Sequence, residues 1–276
     1  MKCASDSMSL TIQILVIITS YLATEAIMRF SVELRLPRYV KLGDHAELYC
    51  DYNVREDQLH RVEWLRNGKK LFQYVKGRTP PFRNFTIPGA ELDLEKSNER
   101  QILLKNMQFE SSGSYSCEVS TQTPIYTKPS NDHELLVIET QRDPPEVLIP
   151  KSAYQVGERL EVNCTSSPAR PVADITWLVN GIPVKEDHLR FFHSRDRKRL
   201  TAQLSLVIME RDAGPKGRLE LTCLSTIPAF RALEHSEYGD LKTTSITVDI
   251  EVPQSGSRAD SWFVLLLTAS LFIFLR

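Results

Sequence analysis

Residues 111–120 read SSGSYSCEVS, and this stretch decides the fold. Tyr115 and Cys117 alternate with serines, which is the two-residue period of a β-strand with one buried face. Upstream, residues 46–52 (AELYCDY) repeat the alternation around Cys50. Similar short stretches, bounded by turn residues about every 8 to 12 positions, fill most of the chain without a sustained helical period. The sequence therefore predicts an all-β protein.

Composition and cysteine spacing indicate the number of domains and their compartment. The chain has 276 residues, 42% hydrophobic and 25% charged, and at about 100 to 200 residues per domain this length predicts two domains. The net charge is -1, which gives no electrostatic reason to expect a nucleic-acid partner. Apart from Cys3, four cysteines form two widely spaced pairs without a C-x-x-C motif. They predict two long-range disulfides in an oxidising compartment.

The N-terminal residues indicate secretion. An apolar run at residues 10–22 follows Lys2 and precedes small residues at Thr24 and Ala26. This pattern predicts a signal peptide over residues 1–26. The alternative, a transmembrane helix, needs about 20 apolar residues. Cys3 would leave with the peptide.

The C-terminal segment, residues 253–276, combines a polar spacer with an apolar tail at residues 262–275. A short tail behind the small residues 255–257 is typical of a GPI attachment signal, with Ser255 as the anchored residue. The alternatives are a short single-pass anchor and secretion without an anchor. All three interpretations place residues 27–254 outside the cell.

The first half of the chain matches the immunoglobulin pattern. Cys50, Trp64, Tyr115 and Cys117 resemble the B-strand cysteine, the C-strand tryptophan and the tyrosine corner before the F-strand cysteine. The resemblance implies a Cys50–Cys117 bridge between two sheets, with Trp64 and Tyr115 in the core. The wide cysteine spacing suggests a variable-like domain over residues 27–141.

A second copy of this pattern follows in residues 142–252. Cys164, Trp177 and Cys223 repeat the plan, which implies a second bridge and a second core tryptophan. Leu221 replaces the corner tyrosine, so the corner hydrogen bond is expected to be absent. The closer cysteines indicate a shorter, divergent domain without a C″ strand. Each half also has an Asn-Gly pair, a strong hairpin-turn signal.

Six further parts of the sequence carry a closer resemblance: 46–52, 72–75 with 80–81, 87–89 with 93–94, 111–120 with Pro124, 162–166 and 177–181. They are similar to the Beaten path (Beat) family of insect neuronal proteins, and the resemblance covers nearly the whole mature chain. The resemblance implies a cell-surface or secreted protein of axon guidance and synaptic partner choice. It would bind Sidestep-family immunoglobulin proteins, chiefly through its first domain. A soluble immune-recognition or general adhesion molecule is the alternative.

Partner-binding residues can be proposed from the strand pattern of the first domain. With Trp64 and Cys117 facing inward, their neighbours Leu65 and Glu118 face outward. The next strand is more apolar than one inward face requires, and an apolar, aromatic patch with a few charges is typical of an interface centre. The alternative is core packing plus scattered surface apolar residues. The predicted binding residues are Leu65, Phe72, Tyr74, Glu118, Ile125 and Tyr126.

Two further features concern the surface. The sequons at Asn84 and Asn163 predict N-linked glycans. A basic stretch at residues 188–199 could bind heparan sulfate. Three interspersed acidic residues, Glu186, Asp187 and Asp196, dilute its charge, so a solvated loop between strands C′ and E is the favoured interpretation.

Catalytic motifs are missing from the sequence. It contains no H-E-x-x-H, no G-x-S-x-G and no phosphate-binding glycine loop, and its six histidines have no metal-ligand spacing. We therefore expect no enzyme activity, no cofactor and no metal site.

Overall fold

The computed structural model describes Leu15 and residues 30–123, 125–214, 217–230 and 237–251. Cys3, the anchor segment, Ser255 and nearly all of the predicted signal peptide lie outside the described residues. Two compact units divide the chain, with their main boundary between Thr140 and Gln141. No helix among the described residues is long and apolar enough to cross a membrane.

The first unit consists of two sheets around one core. The smaller sheet has the order β1-β3-β8-β7, and the larger has the order β2-β11-β9-β4-β5-β6 with β10 beside β9. β2 pairs in parallel with β11, and the other paired strands are antiparallel. This is the A-B-E-D and A′-G-F-C-C′-C″ arrangement of a variable-type immunoglobulin domain, which confirms the predicted class. Its strands are β1 (Val32–Arg35), β2 (Tyr39–Lys41), β3 (Ala46–Tyr52), β4 (Leu59–Arg66), β5 (Lys69–Val75), β6 (Phe82–Asn84), β7 (Glu91–Asp93), β8 (Gln101–Lys105), β9 (Gly113–Thr121), β10 (Thr127–Pro129) and β11 (His133–Ile138).

The second unit repeats this arrangement with fewer strands. Its sheets have the orders β12-β14-β18-β17 and β13-β20-β19-β15-β16. The edge strand β16 has two residues, and the described part of this unit has no strand beyond it, as expected for a shorter domain without C″. Its strands are β12 (Glu146–Leu148), β13 (Ala153–Gln155), β14 (Arg159–Thr165), β15 (Asp174–Val179), β16 (Ile182–Pro183), β17 (Leu189–His193), β18 (Leu200–Val207), β19 (Arg218–Ile227) and β20 (Asp240–Glu251).

Each unit contains one disulfide and one tryptophan in its core. Cys50 is bonded to Cys117 and Cys164 to Cys223, with Cα–Cα distances of 6.2 and 6.5 Å. Trp64 and Trp177 are fully buried, each directly opposite the second cysteine of its unit in the strand register. By the chain-entropy model, each bridge contributes on the order of 4 kcal/mol by restricting the unfolded chain.

The tyrosine corner is present in the first unit. The buried Tyr115 hydroxyl donates to the carbonyl oxygen of Ser111 at 2.6 Å. Burial raises the pKa of Tyr115 above its ordinary value. Leu221 is fully buried in the second unit and cannot donate such a bond.

Both Asn-Gly pairs adopt the left-handed backbone that a type I′ turn requires, with φ of 49° and 74° at Asn67-Gly68 and 49° and 79° at Asn180-Gly181. The asparagine side chain also binds strand F. Asn67 Oδ1 accepts from the Ser114 N–H at 2.9 Å, and Asn180 Oδ1 accepts from the Glu220 N–H at 3.0 Å. The turn is therefore tied to the strand that carries the second cysteine.

Candidate binding surface

The outer face of the larger sheet of the first unit is the candidate binding surface, called the first-unit face below. Paired residues of antiparallel strands project to the same side, so the register identifies its members. Glu63 lies opposite Glu118 on β9 and opposite Gln73 on β5. The members on the three central strands are Arg61, Glu63, Leu65, Lys70, Gln73, Val75, Ser114, Ser116, Glu118 and Ser120.

Glu63 is the centre of a charged network on this face. Its side chain is only 3% exposed. Oε1 accepts from Gln73 Nε2 at 2.6 Å and lies 2.6 Å from Lys70 Nζ, while Oε2 lies 3.3 Å from Arg61 Nε. A buried carboxylate without partners would be strongly destabilising, so the contacts with Gln73 and Lys70 hold Glu63 in a defined arrangement. Arg61 Nε is near enough for an ion pair, but it is buried without a hydrogen bond among the described residues.

The rest of the face is flat and mostly polar. Small serines on β9 leave little relief, and the Ser120 and Thr127 hydroxyls are hydrogen-bonded at 2.8 Å. Leu65 and Val75 are its apolar members on the three central strands, and they lie toward opposite ends of the β4–β5 hairpin. The surface is therefore more polar than the apolar patch that the sequence suggested.

Two predicted binding residues face the core instead. Phe72 is fully buried, lies opposite Trp64 and stacks on Phe82 with ring centroids 5.4 Å apart. Tyr74 is half-buried and contacts the same ring at 5.5 Å. The prediction that Phe72 contributes to the exposed surface is wrong, and Tyr74 belongs mainly to core packing.

A β-bulge explains this error. Trp64 pairs with Phe72 and Leu65 pairs with Lys70, so Leu71 is an additional residue on β5. Leu71 and Phe72 are consecutive, yet both are buried. A bulge breaks the two-residue alternation, and a sequence pattern without the partner strand cannot locate it.

The other predicted binding residues are accessible. Leu65 and Glu118 are half-buried on the face, and Ile125, in the β9–β10 connection, is 70% exposed. Tyr126 is half-buried, and its N–H donates to Thr121 Oγ1 at 3.1 Å, which fixes the connection beside the sheet. Whether these residues contact a partner stays a prediction.

The two predicted glycan sites lie on different sheets. Asn84 is exposed at the end of β6, the edge strand of the first unit's larger sheet. Asn163 is half-buried on β14 of the second unit, opposite Leu148 and Gln203. The hydroxyl of its sequon residue, Thr165, is hydrogen-bonded to that of Thr201 at 2.9 Å. Acceptance of a glycan at either position stays a prediction.

Buried tyrosines are the main titratable features of the first unit's interior. Burial raises the pKa of Tyr52 to about 12, although the Arg100 guanidinium lies 4.1 Å from the centre of its ring and acts in the opposite direction. No group of three or more His, Cys, Asp or Glu among the described residues is arranged to hold a metal ion.

Sequence comparisons identify distant relatives. No protein-family model matches the chain. Human cell adhesion molecule 1 is 26% identical over 175 residues, which are 62% of this chain and 36% of that protein. Human nephrin is 23% identical over 228 residues, which are 76% of this chain and 17% of nephrin. The chain thus spans about a third or less of these relatives.

The chain is similar to immunoglobulin-superfamily cell adhesion proteins. A structural match is a chain in the crystal structure of a mouse coronavirus receptor-binding domain complexed with its murine receptor. Its TM-score is 0.50 at 16% identity, and the match covers 81% of this chain and 100% of that chain. This likeness concerns the fold alone. The relatives support a general adhesion or recognition role and are consistent with an extracellular location.

Proposed function

We propose that this chain is an extracellular recognition protein that binds another cell-surface immunoglobulin protein through the first-unit face. The Beat-family resemblance makes a Sidestep-family protein the proposed partner, and axon guidance with synaptic partner choice the proposed process. The observation that carries the proposal is the fixed charge network around Glu63 in the middle of an otherwise flat sheet face.

The network suits recognition because its side chains are already ordered. Lys70 and Gln73 each lie 2.6 Å from one carboxylate oxygen, so binding would lose little of their conformational entropy. Fixed charges also discriminate between partners, since a like charge placed opposite them is penalised. The row of small serines on β9 allows another sheet to approach closely.

Glu118 supplies the charge that a partner would meet. It lies opposite Glu63 in the register, is half-buried and, within the described residues, has no ion pair. Glu63 is neutralised by Lys70 and Arg61, whereas Glu118 is not. A complementary partner therefore presents an arginine or lysine at this position. A glycan on Asn84 would keep the β6 edge out of close contact and leave the central strands available.

The proposal is tested by surface plasmon resonance of a soluble 27–254 fragment against a panel of Sidestep-family ectodomains. Glu118→Arg and Leu65→Asp are each expected to weaken binding by on the order of tenfold or more, because each places an unfavourable charge in the interface. Glu161→Arg, on an exposed strand position of the second unit, is the matched control and should retain affinity.

Unchanged affinity for both first-unit variants, with thermal stability preserved, would place the contact on another surface. Absence of binding to every panel member would reject the Sidestep assignment. Binding of a different immunoglobulin protein that is lost in Glu118→Arg would retain the face and change the partner.

We infer further that the chain is held at the cell surface by a GPI anchor on Ser255. The tail pattern at residues 262–275 supports this inference. Phosphatidylinositol-specific phospholipase C should release the protein from intact cells. Retention, while a known GPI-anchored protein is shed, would contradict it.

A further inference from the structure

A second charged surface lies in the second unit. The basic hairpin is defined as residues 194–199, which connect β17 to β18, together with Arg190 on β17. Its five cationic side chains are all exposed. Residues 189–193, expected to belong to a solvated loop, form strand β17 at the edge of the sheet β12-β14-β18-β17. Arg190 therefore lies on a strand, and the other four cations lie in the turn that follows it. They are Arg190, Arg195, Arg197, Lys198 and Arg199.

The turn of the hairpin is well defined by hydrogen bonds. The Ser194 N–H donates to the Arg199 carbonyl oxygen at 3.1 Å, and Ser194 Oγ accepts from the Arg199 N–H at 3.0 Å. Asp196 Oδ1 accepts from the Lys198 N–H at 3.1 Å and from the Ser194 hydroxyl. The Asp196 carboxylate thus serves the backbone of the turn. The basic side chains project from a fixed scaffold.

The other two acidic residues lie at the opposite end of the strand. Glu186 and Asp187 belong to the 3-10 turn Glu186–His188, before β17 begins. The five residues of β17 separate this turn from residues 194–199 by about 16 Å at the usual rise per residue, whereas Arg190, the second residue of β17, lies next to the turn. That separation exceeds the Debye length of about 8 Å at physiological salt. Glu186 and Asp187 are therefore screened from residues 194–199, although Arg190 lies near them.

The arginines are also free of local partners. Within the described residues, Arg190, Arg195, Arg197 and Arg199 have no ion pair within 4.0 Å. The neighbouring outward positions are neutral. Arg190 lies opposite Gln203, and Gln203 lies opposite Asn163. Their positive charge is thus available to a ligand from solvent.

We propose that the basic hairpin binds a sulfated glycosaminoglycan of the heparan sulfate type. Guanidinium groups bind tetrahedral oxyanions in a bidentate manner and are less strongly hydrated than ammonium groups. Four cations lie together in the turn and Arg190 lies on the edge strand that leads into it, so an extended polyanion can contact both places. Several weak ionic contacts of this kind add up, and the release of counterions makes the binding depend on salt.

A polysaccharide fits this surface better than an anionic membrane. Residues 194–199, at the tip of the hairpin, contain no apolar side chain. Phe191 and Phe192 are 46% and 53% exposed, but they lie along the strand and not at the tip. Membrane binding uses apolar groups that insert beneath the basic ones. The anionic leaflet is also the cytoplasmic one, whereas two disulfides indicate an extracellular chain.

The test is heparin-affinity chromatography of the 27–254 fragment, followed by binding to immobilised heparan sulfate. The variant carries Arg195→Gln, Lys198→Gln and Arg199→Gln; Arg197 is kept because of its φ of 53°. The control carries Lys185→Gln, Arg211→Gln and Lys242→Gln, which remove the same number of positive charges from the same unit. We expect the hairpin variant to lose affinity by on the order of tenfold or more and the control by about twofold or less.

Equal losses in both variants would overturn the proposal, because net charge alone would then explain retention. Retention of full affinity by the hairpin variant would also overturn it, as would binding to phosphatidylserine vesicles without binding to heparin. Circular dichroism melts establish that each variant is folded. The site is independent of the first-unit face, so the hairpin variant should bind the protein partner normally.

Discussion

The residue before the core tryptophan is Glu63 in the first unit and Thr176 in the second. On the neighbouring strand, Glu63 meets Glu118, whereas Thr176 meets Leu224. The tryptophans and the disulfides occupy equivalent positions in both units. The difference teaches that core packing sets the inward-facing residues of this strand pair, while the outward-facing residues are free to vary; in the first unit they form the proposed binding surface.

The equivalent core positions of the two units differ in their hydrogen bonds. Trp177 Nε1 donates to the Ala202 carbonyl oxygen at 3.1 Å, whereas Trp64 Nε1 is buried and has no partner among the residues that the structure describes. The first unit has the Tyr115 corner bond, and the second has Leu221 at that position. Each unit therefore lacks one polar contact that the other makes.

The largest expected effect tests whether the two disulfides stabilise their units equally. Replacing Cys50 and Cys117 by alanine, or Cys164 and Cys223 by alanine, should lower the unfolding free energy of the affected unit by about 4 kcal/mol. Urea unfolding followed by tryptophan fluorescence measures each loss. Losses that differ by more than about 2 kcal/mol would show that the bridges have different roles.

The next effect tests the unequal outer faces. Glu63→Ala removes the partner of Lys70 and Arg61 and should cost about 2 kcal/mol, less than for a fully buried pair because both cations reach solvent. Thr176→Ala is the matched control in the second unit and should cost less than about 0.5 kcal/mol. Equal costs in urea unfolding would mean that the network adds no order to the face.

A smaller effect tests the Asn-Gly turn, which is present in both units. Asn67→Gly and Asn180→Gly keep the left-handed backbone but remove the side-chain bond to strand F, so each should cost about 1 kcal/mol. Calorimetric melts of the two variants provide the measurement. If only one unit loses stability, the asparagine of the other unit contributes only through its backbone conformation.

The smallest effect distinguishes the units by pH. Tyr52 and Tyr115 keep their protons in the folded first unit at pH values where the unfolded chain loses them, because burial raises both pKa values. Stability should be unaffected by these groups below pH 10 and should fall as the pH rises toward 12, by about 1 kcal/mol at pH 11. Tyr52→Phe should reduce this fall in alkaline urea titrations. An unchanged slope would assign the dependence to other groups.

Sequence reasoning succeeded where one local rule fixes one structure. Positive φ at Asn67-Gly68 follows from turn chemistry, and the inward positions of Trp64 and Cys117 follow from strand alternation. It failed at Phe72, because a bulge depends on the partner strand. It also gave no sign that Glu63 would be buried, since that burial comes from side chains on β4 and β5.

The sequence by itself determined the all-β class, the two-unit plan and the residues of each core, because these depend on periodicity and on a few residue types. Only the tertiary structure decided which side chains come together on the two proposed binding surfaces. It brought Lys70 and Gln73 across the β4–β5 hairpin to Glu63, and it placed Glu186 and Asp187 at the other end of β17 from residues 194–199. Both outcomes depend on strand pairing and on distance in space, which adjacency in sequence does not measure.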